Sequence, residues 1–208
     1  APGLMCSILS VLSYFTFRIC EWPATKSCGS GKKKWLFYAW KWFGSIVFSH
    51  LIDPLNGVRI AWLRLFGATI GRGCYVSRKA QIVHPYNLHL GNACGIDDYV
   101  YVNGGLTTGC NVSIASHVRI IAAGHDVRSR QFESFVSEVS LADGVFVGSG
   151  ATLLATQNKL LTIDTMAVVG ANAFVVHAMP ANTIVVGNPA RVVNQRLSDD
   201  DFSNYSYN

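Results

Sequence analysis

The sequence predicts an all-β fold, a parallel β-helix preceded by helical segments, from three observations. Aliphatic residues recur every six positions between Ile70 and about Gly187. Small residues take the second and fifth places of the same hexads, as in Ile70–Gly71–Arg72–Gly73–Cys74–Tyr75. The phase holds through ten units, which open at Ile70, Val76, Leu90, Ile96, Thr108, Ile114, Leu141, Val147, Ile163 and Val169. A six-residue period fits no helix. It fits short strands separated by corners, three hexads making one triangular coil of roughly 18 residues. The opening residue points inward, and stacked coils share one core. Small residues elsewhere let the backbone turn and pack closely. The strands of a sandwich would alternate without keeping this phase.

The N-terminal third follows a different pattern. Gly3 to Phe17 is almost wholly apolar but shorter than the roughly 20 residues of a membrane span. It lacks the basic start and small-residue cleavage site of a signal peptide. It reads as an apolar helix, packed on the body or lying on a surface, and is interrupted by Arg18 and Glu21. Ser27 to Lys34 reads as a polar, basic linker. Trp35 to Ile52 is apolar and aromatic, with Lys41 its single formal charge. Two roles suit it. A helix must cover the open end of a β-helix, because an uncovered edge invites aggregation. Trp and Tyr beside lysines also suit a membrane interface. After the breakers Asp53–Pro54 and Asn56–Gly57, Val58 to Phe66 is expected to form a short amphipathic helix with Arg59 and Arg64 outward.

Within the repeat the phase lapses twice. From Ile121 to Val139 the chain is polar and out of phase, and is expected to project as a loop from one corner. Ala155 to Leu160 is expected to distort a single corner. The repeat ends in VVHAMPANTIVVGNPARVV, where Pro180, Gly187 and Pro189 close the coil. A polar tail from Ser198 is expected to be mobile. The organisation is therefore a helical cap region over 1–66, a β-helix domain over 67–193 with its projecting loop at 121–139, and a tail over 194–208.

Charge and cysteine usage narrow the function. The formal net charge is +5, partly in Lys32–Lys33–Lys34, outside the repeat. That run is too short for a nucleic-acid footprint, and no recognition motif accompanies it. Of six cysteines none forms a C-x-x-C pair. Cys74 and Cys94 fill fifth places as small buried residues, which points to a reducing, cytoplasmic setting.

Loops on a rigid scaffold tend to carry function. His125 lies in the projecting loop, after Gly124 and outside any hexad position. Histidine is the side chain best suited to take a proton near neutral pH. Asp126 is placed either to orient that imidazole or to cap the loop.

The hexads, the GHDVRSRQF loop at Gly124–Phe132 and the ending VVGNPARVV resemble the hexapeptide-repeat O-acetyltransferases. LRLFGATIG at Leu63–Gly71 and YNLHLGNACGIDD at Tyr86–Asp98 bring the chain nearest to the colanic-acid-biosynthesis acetyltransferases. Maltose, galactoside and nodulation-factor acetyltransferases are more distant. The similarity spans roughly Trp35 to Arg196. It implies a left-handed coil, an exception to right-handed crossovers, and a homotrimer with sites between subunits. It also implies direct acetyl transfer from acetyl-CoA to a hydroxyl of a saccharide in exopolysaccharide or capsule synthesis, with no metal required. His125 fills the position of the base. Asp97 and Asp98 align with the acceptor cleft, and Asp98 is favoured as the ligand. Phe146, Ser149, Gly150 and Ala171 map onto the pantetheine groove, and Arg191 onto a contact with the cofactor's phosphates. His177 stands where relatives often carry Lys, and Asn194 where some carry Arg. Acceptors of this kind are often lipid-linked, which gives the aromatic segment a reason to touch the membrane's inner face. An antibiotic-modifying acetyltransferase and a non-catalytic trimeric scaffold share the fold. So do zinc-binding γ-class carbonic anhydrases, for which His84, His117 and His125 would be the ligands.

Overall fold

The computed structural model describes residues 31–157, 159–198 and 201. The apolar run Gly3–Phe17 and nearly all of the tail after Ser198 lie outside the described residues.

Short strands form three parallel sheets that the chain visits in strict rotation. The first face holds β1 (Thr69–Ile70), β4 (Leu88–Leu90), β7 (Gly105–Thr108), β12 (Glu138–Leu141) and β15 (Leu161–Ile163). The second holds β2 (Tyr75–Val76), β5 (Gly95–Ile96), β8 (Ser113–Ile114), β13 (Phe146–Val147), β16 (Val168–Val169) and β18 (Thr183–Val186). On the third lie β3 (Gln81–Ile82), β6 (Tyr101–Asn103), β9 (Arg119–Ile121), β14 (Thr152–Leu154) and β17 (Phe174–Val175). Each strand pairs in parallel with its counterpart one circuit later, Ile70 against Leu90 and Val147 against Val169. Every opening residue named above is buried, and so are the fifth-place residues, including Cys74 and Cys94. The stacked openers form one continuous core along the axis. At the far end β19 (Arg191–Gln195) turns back antiparallel on β18 and ends the ladder.

Two of the three corners are tight and repetitive. Their fourth hexad place carries a left-handed backbone, at Gly73, Ala93, Asn111, Gly144 and Met166 on one corner. The next corner repeats it at Tyr99, His117, Gly150 and Asn172. Outside glycine and asparagine such a conformation costs about 1–2 kcal/mol. At Tyr99 and His117 the two rings stack, with centroids 4.9 Å apart, and this contact offsets part of that cost. The third corner, between the third face and the first, obeys no such rule and carries all the irregular segments.

The first circuit exposes three strand edges with unpaired backbone groups, and helices close them. Helix α1 (Gly31–Ala39) continues through a π-helical stretch, Trp40–Gly44, into α2 (Ser45–His50). The helix therefore already includes residues 31–34, which the sequence assigned to a linker. Trp40 and Phe48 pack inward against Phe66 and the first coil. Helix α3 (Asn56–Leu65) lies across the same end. Their polar side chains supply the missing partners. Trp40 Nε1 donates to the Ile82 carbonyl at 2.6 Å, and Arg64 donates to that of Ile70 at 2.5 Å. Arg59 Nε donates to the Val76 carbonyl at 3.0 Å. Asn56 both donates to the Cys74 carbonyl and accepts from the Val76 amide. Arg59 was expected to face outward on an amphipathic helix. It is instead fully buried, because an edge carbonyl needs a donor that only a long side chain from α3 can deliver. Its Nη1 donates to the carbonyls of Leu51 and Ile52, and its Nη2 to Asn56 Oδ1.

His84 links the cap to the coil. Its ring stacks on Phe37 at 5.4 Å, and its Nδ1 accepts from the Gly104 amide at 3.4 Å. Burial pushes the imidazole down from 6.5 to about 4.

Two outcomes follow from these contacts. Arg59→Ala should lower unfolding free energy by roughly 3 kcal/mol, since buried carbonyls lose charged donors. Arg59→Met, which refills the volume, should recover less than half of that loss in urea titrations. His84 stays neutral in the folded chain and binds its proton only on unfolding between pH 6.5 and 4. Stability should therefore be full above pH 6.5 and fall as pH drops, by about 2 kcal/mol at pH 5. In His84→Phe, urea midpoints at pH 7.5 and pH 5 should lose this difference.

Candidate active site

The irregular third corner carries two of the expected site residues, His125 and His177. The phase lapse expected to be a loop is a β-hairpin, β10 (Ala123–His125) against β11 (Ser134–Val136), antiparallel with His125 opposite Ser134. Its root is clamped to the coil. Ala122 N donates to Asn103 O at 2.6 Å, Ser137 N to Ala122 O at 2.6 Å, and Gly105 N to Ser137 O at 2.9 Å. At Gly124 the packing is close: a Cβ there would stand 3.2 Å from the Phe135 ring, which would have to shift by a few tenths of an ångström.

His125 ends the ascending strand half-buried, with its ring stacked on Phe132 at 4.6 Å and nearly parallel. Its Nδ1 lies 3.1 Å from the Phe132 carbonyl and 3.1 Å from Ser134 Oγ. A carbonyl can only accept, so in the neutral ring Nδ1 carries the hydrogen and donates it there. Nε2 then carries the lone pair, which is the tautomer a general base needs. The orienting group is the Phe132 carbonyl. Asp126 instead accepts from the Arg128 amide at 2.9 Å, which makes it the cap of the hairpin tip. The Phe132 contact was not visible in sequence. It depends on the turn that brings residue 132 back over residue 125, and on the left-handed backbone of Phe132 (φ 48°).

The six-residue departure at 155–160 lies at the same corner, one circuit further on. Ala155 N donates to Ile121 O at 3.0 Å, and Ser137 Oγ donates to Lys159 O at 3.0 Å. The segment thus abuts the hairpin root. His177, exposed, follows β17 at this corner one circuit later still.

The other expected site residues lie elsewhere. Asp97 and Asp98 sit on the corner between the second and third faces. Asp97 accepts from the Asp98 amide at 2.7 Å. The Asp98 carboxylate accepts from Lys79 Nζ at 2.6 Å and from Ser77 Oγ. Those two bonds, Lys79 first, hold the carboxyl below its usual range, and the same bond raises the Lys79 ammonium. Asp98 is therefore engaged in tying two successive coils together. Lys79 was the partner that sequence reading missed; it stands at the equivalent corner one circuit earlier.

Phe146 faces outward from β13, and Ser149 and Gly150 form the corner that follows it. Ala171 belongs to the next corner above, where Asn172 N donates to Ser149 O at 2.9 Å. Arg191 projects from β19 on the same face as Phe146, three strands along, a spread of about 14 Å. An exposed apolar ring, low corners and a distant cation suit an extended thioester carrier with phosphates at one end. Within one chain the corner residues Ser149, Gly150 and Ala171 lie across the third face from the hairpin's corner, roughly 15 Å along a strand, with Phe146 and Arg191 on the second face beyond them.

Among the described residues two grooves stand out. One, of about 400 Å³, runs between the α1–α2 segment and the third face, by Arg78, Lys79, Tyr99 and Tyr101. Another, of about 560 Å³, lies on the first face by Ser140, Thr162, Asp164 and Met179. Neither includes His125. Among the described residues no three His, Cys, Asp or Glu side chains come close enough to hold a metal ion. His84 and His117 stand at different corners.

No family model matches the chain. Over 146 residues it is 32% identical to the putative colanic acid biosynthesis acetyltransferase WcaF of Escherichia coli (strain K12), covering 66% of this chain and 75% of that protein. It is 28% identical over 144 residues to the galactoside O-acetyltransferase of the same organism, covering 64% and 66%. Among solved structures, a maltose O-acetyltransferase from Clostridium difficile 630 superposes with a TM-score of 0.62 at 24% identity, covering 78% of this chain and 85% of that one. The hexapeptide-repeat acetyltransferase VCA0836 of Vibrio cholerae O1 biovar eltor, complexed with acetyl-CoA, gives 0.58 at 20% identity, covering 82% and 92%. These two structural likenesses bear on the fold.

Proposed function

The chain belongs to the hexapeptide-repeat acetyltransferases, in the group of the colanic-acid-biosynthesis enzymes, and from that premise we propose that it carries acetyl from acetyl-CoA to a saccharide hydroxyl in exopolysaccharide or capsule assembly. The carrying observation is His125: a ring oriented by a backbone carbonyl, in the tautomer of a base, on a hairpin clamped to a rigid coil. The coil is left-handed in this reading, as the family likeness implies, and the chain works as a cytoplasmic homotrimer on a lipid-linked acceptor.

Acetyl-CoA supplies an activated acyl thioester. His125 Nε2 takes the proton of the acceptor hydroxyl as its oxygen attacks the thioester carbonyl. The C–S bond then breaks, and the imidazolium returns the proton to the departing sulfur. Nothing in this sequence needs an acyl-enzyme, and no serine or cysteine here sits in a nucleophile motif. Phe146 and the low corners at Ser149, Gly150 and Ala171 would hold the extended arm, with Arg191 toward its phosphates. His177 lies at the imidazole's own corner, so in this reading it meets the cofactor from the neighbouring chain's side. Asp97 and Asp98 would meet the acceptor with whatever capacity their contacts within the chain leave. The separation of His125 from the cofactor set supports a site completed by a second copy.

Replacing His125 with Ala should cut turnover by roughly 10²–10⁴-fold, the usual worth of a positioned base. Near-wild-type acetyl transfer by the purified variant would overturn the assignment. Mixed trimers test the shared site. His125→Ala chains and Ala171→Trp chains, each inactive alone, should together recover roughly a quarter of wild-type activity, the statistical share of productive interfaces. No recovery from mixtures shown to contain heterotrimers would place imidazole and groove on the same chain.

A further inference from the structure

The helical cap has a second apolar face. Its inner face is satisfied, with Trp40, Gly44 and Phe48 buried against the coil end. Its outer face presents Trp35 at 69% exposure, Tyr38 at 56%, Trp42 at 54%, Phe43 at 61% and Ile46 at 55%. Scattered exposed apolar residues are ordinary. Five within twelve residues, four of them aromatic, on a helix already packed on its other side, form a patch that needs an occupant.

Charge identifies the occupant. From Trp22 to Ile52 the chain contains no Asp or Glu, yet holds Lys26, Lys32, Lys33, Lys34 and Lys41. A second copy docked on this face by two-fold symmetry would set like charges against each other. An anionic bilayer surface meets both the lysines and the aromatics. Trp and Tyr favour the headgroup level, and each Lys near such a surface strengthens binding roughly fivefold. No described helix is long and apolar enough to cross a membrane, so the cap would lie in the interface plane.

We propose that the outer face of α1 and its π-helical continuation, with the neighbouring lysines, docks the protein on an anionic lipid bilayer. This deepens the lipid-linked part of the proposed function. The docked cap holds the first coil against the headgroups. The hairpin then stands about 10–15 Å above that coil, two to three strand spacings along the axis. An acceptor head on a lipid carrier could reach His125 there.

Co-sedimentation with vesicles of phosphatidylcholine alone, or with 30% phosphatidylglycerol, tests the docking without acetyl-CoA present. The protein should bind the anionic vesicles and leave them at about 0.5 M salt. Trp35→Ser with Trp42→Ser should weaken binding at least tenfold. So should Lys32, Lys33 and Lys34 all changed to Gln. Both variants should keep their trimeric mass and their acetyl transfer to a water-soluble acceptor, a readout that separates this proposal from the transferase reading. Failure of the native protein to bind anionic vesicles overturns the proposal. So does binding that both variants retain. Loss of the trimer in Trp35→Ser with Trp42→Ser would assign the face to a neighbouring copy and equally overturn it.

Discussion

A parallel coil depends on one constraint: each strand's amides and carbonyls have partners only in the circuits above and below. That ladder is self-consistent in the middle and incomplete at both ends. The first circuit offers the open edges of β1, β2 and β3, and the helical cap answers them with Arg64, Arg59 and Trp40. The last circuit is closed by β19 folding back on β18. The interior follows from the same constraint. Residues that open each hexad must stack into one column, and the polar opener Thr108 stays in it because its hydroxyl accepts from the Gly91 amide and donates to the Gly109 carbonyl.

Regularity on two corners leaves freedom on the third. Left-handed fourth places repeat at one tight corner from Gly73 to Met166, and at the next from Tyr99 to Asn172. Insertion there would break the stacking of successive turns. The corner after the third face lacks this rule and absorbs the histidine hairpin, the 155–160 segment and the turn at His177. Rigid coils beneath the hairpin fix where His125 can stand, and the Phe132 carbonyl fixes how its ring is turned. The scaffold thus supplies position, and a local backbone contact supplies the tautomer.

Much of the fold was legible because burial in this architecture follows one period. Ile96, Ile114 and Val147 could be assigned to the core from phase alone, and Cys74 and Cys94 from their fifth places. Arg59 could not. Its helix reads as amphipathic, and nothing along the chain says that an edge carbonyl of β2 waits beside it. The same limit applies to residues 31–34, read as a linker from their lysines and glycines, although the helix that caps the coil already includes them.

By itself the sequence determined the hexad phase, the buried column and the two irregular segments, and it singled out His125 as the candidate base, because each is a local or periodic property. Tertiary structure alone decided that the long irregular segment is a hairpin and that Phe132 rather than Asp126 orients the imidazole. It also decided that Lys79 and Ser77 occupy Asp98, and that the groove residues lie a face away from His125. The hairpin contacts join positions whose separation bears no fixed relation to the six-residue period, and the pairing of Ser77 and Lys79 with Asp98, one circuit apart, depends on side-chain directions at a corner that the period leaves open.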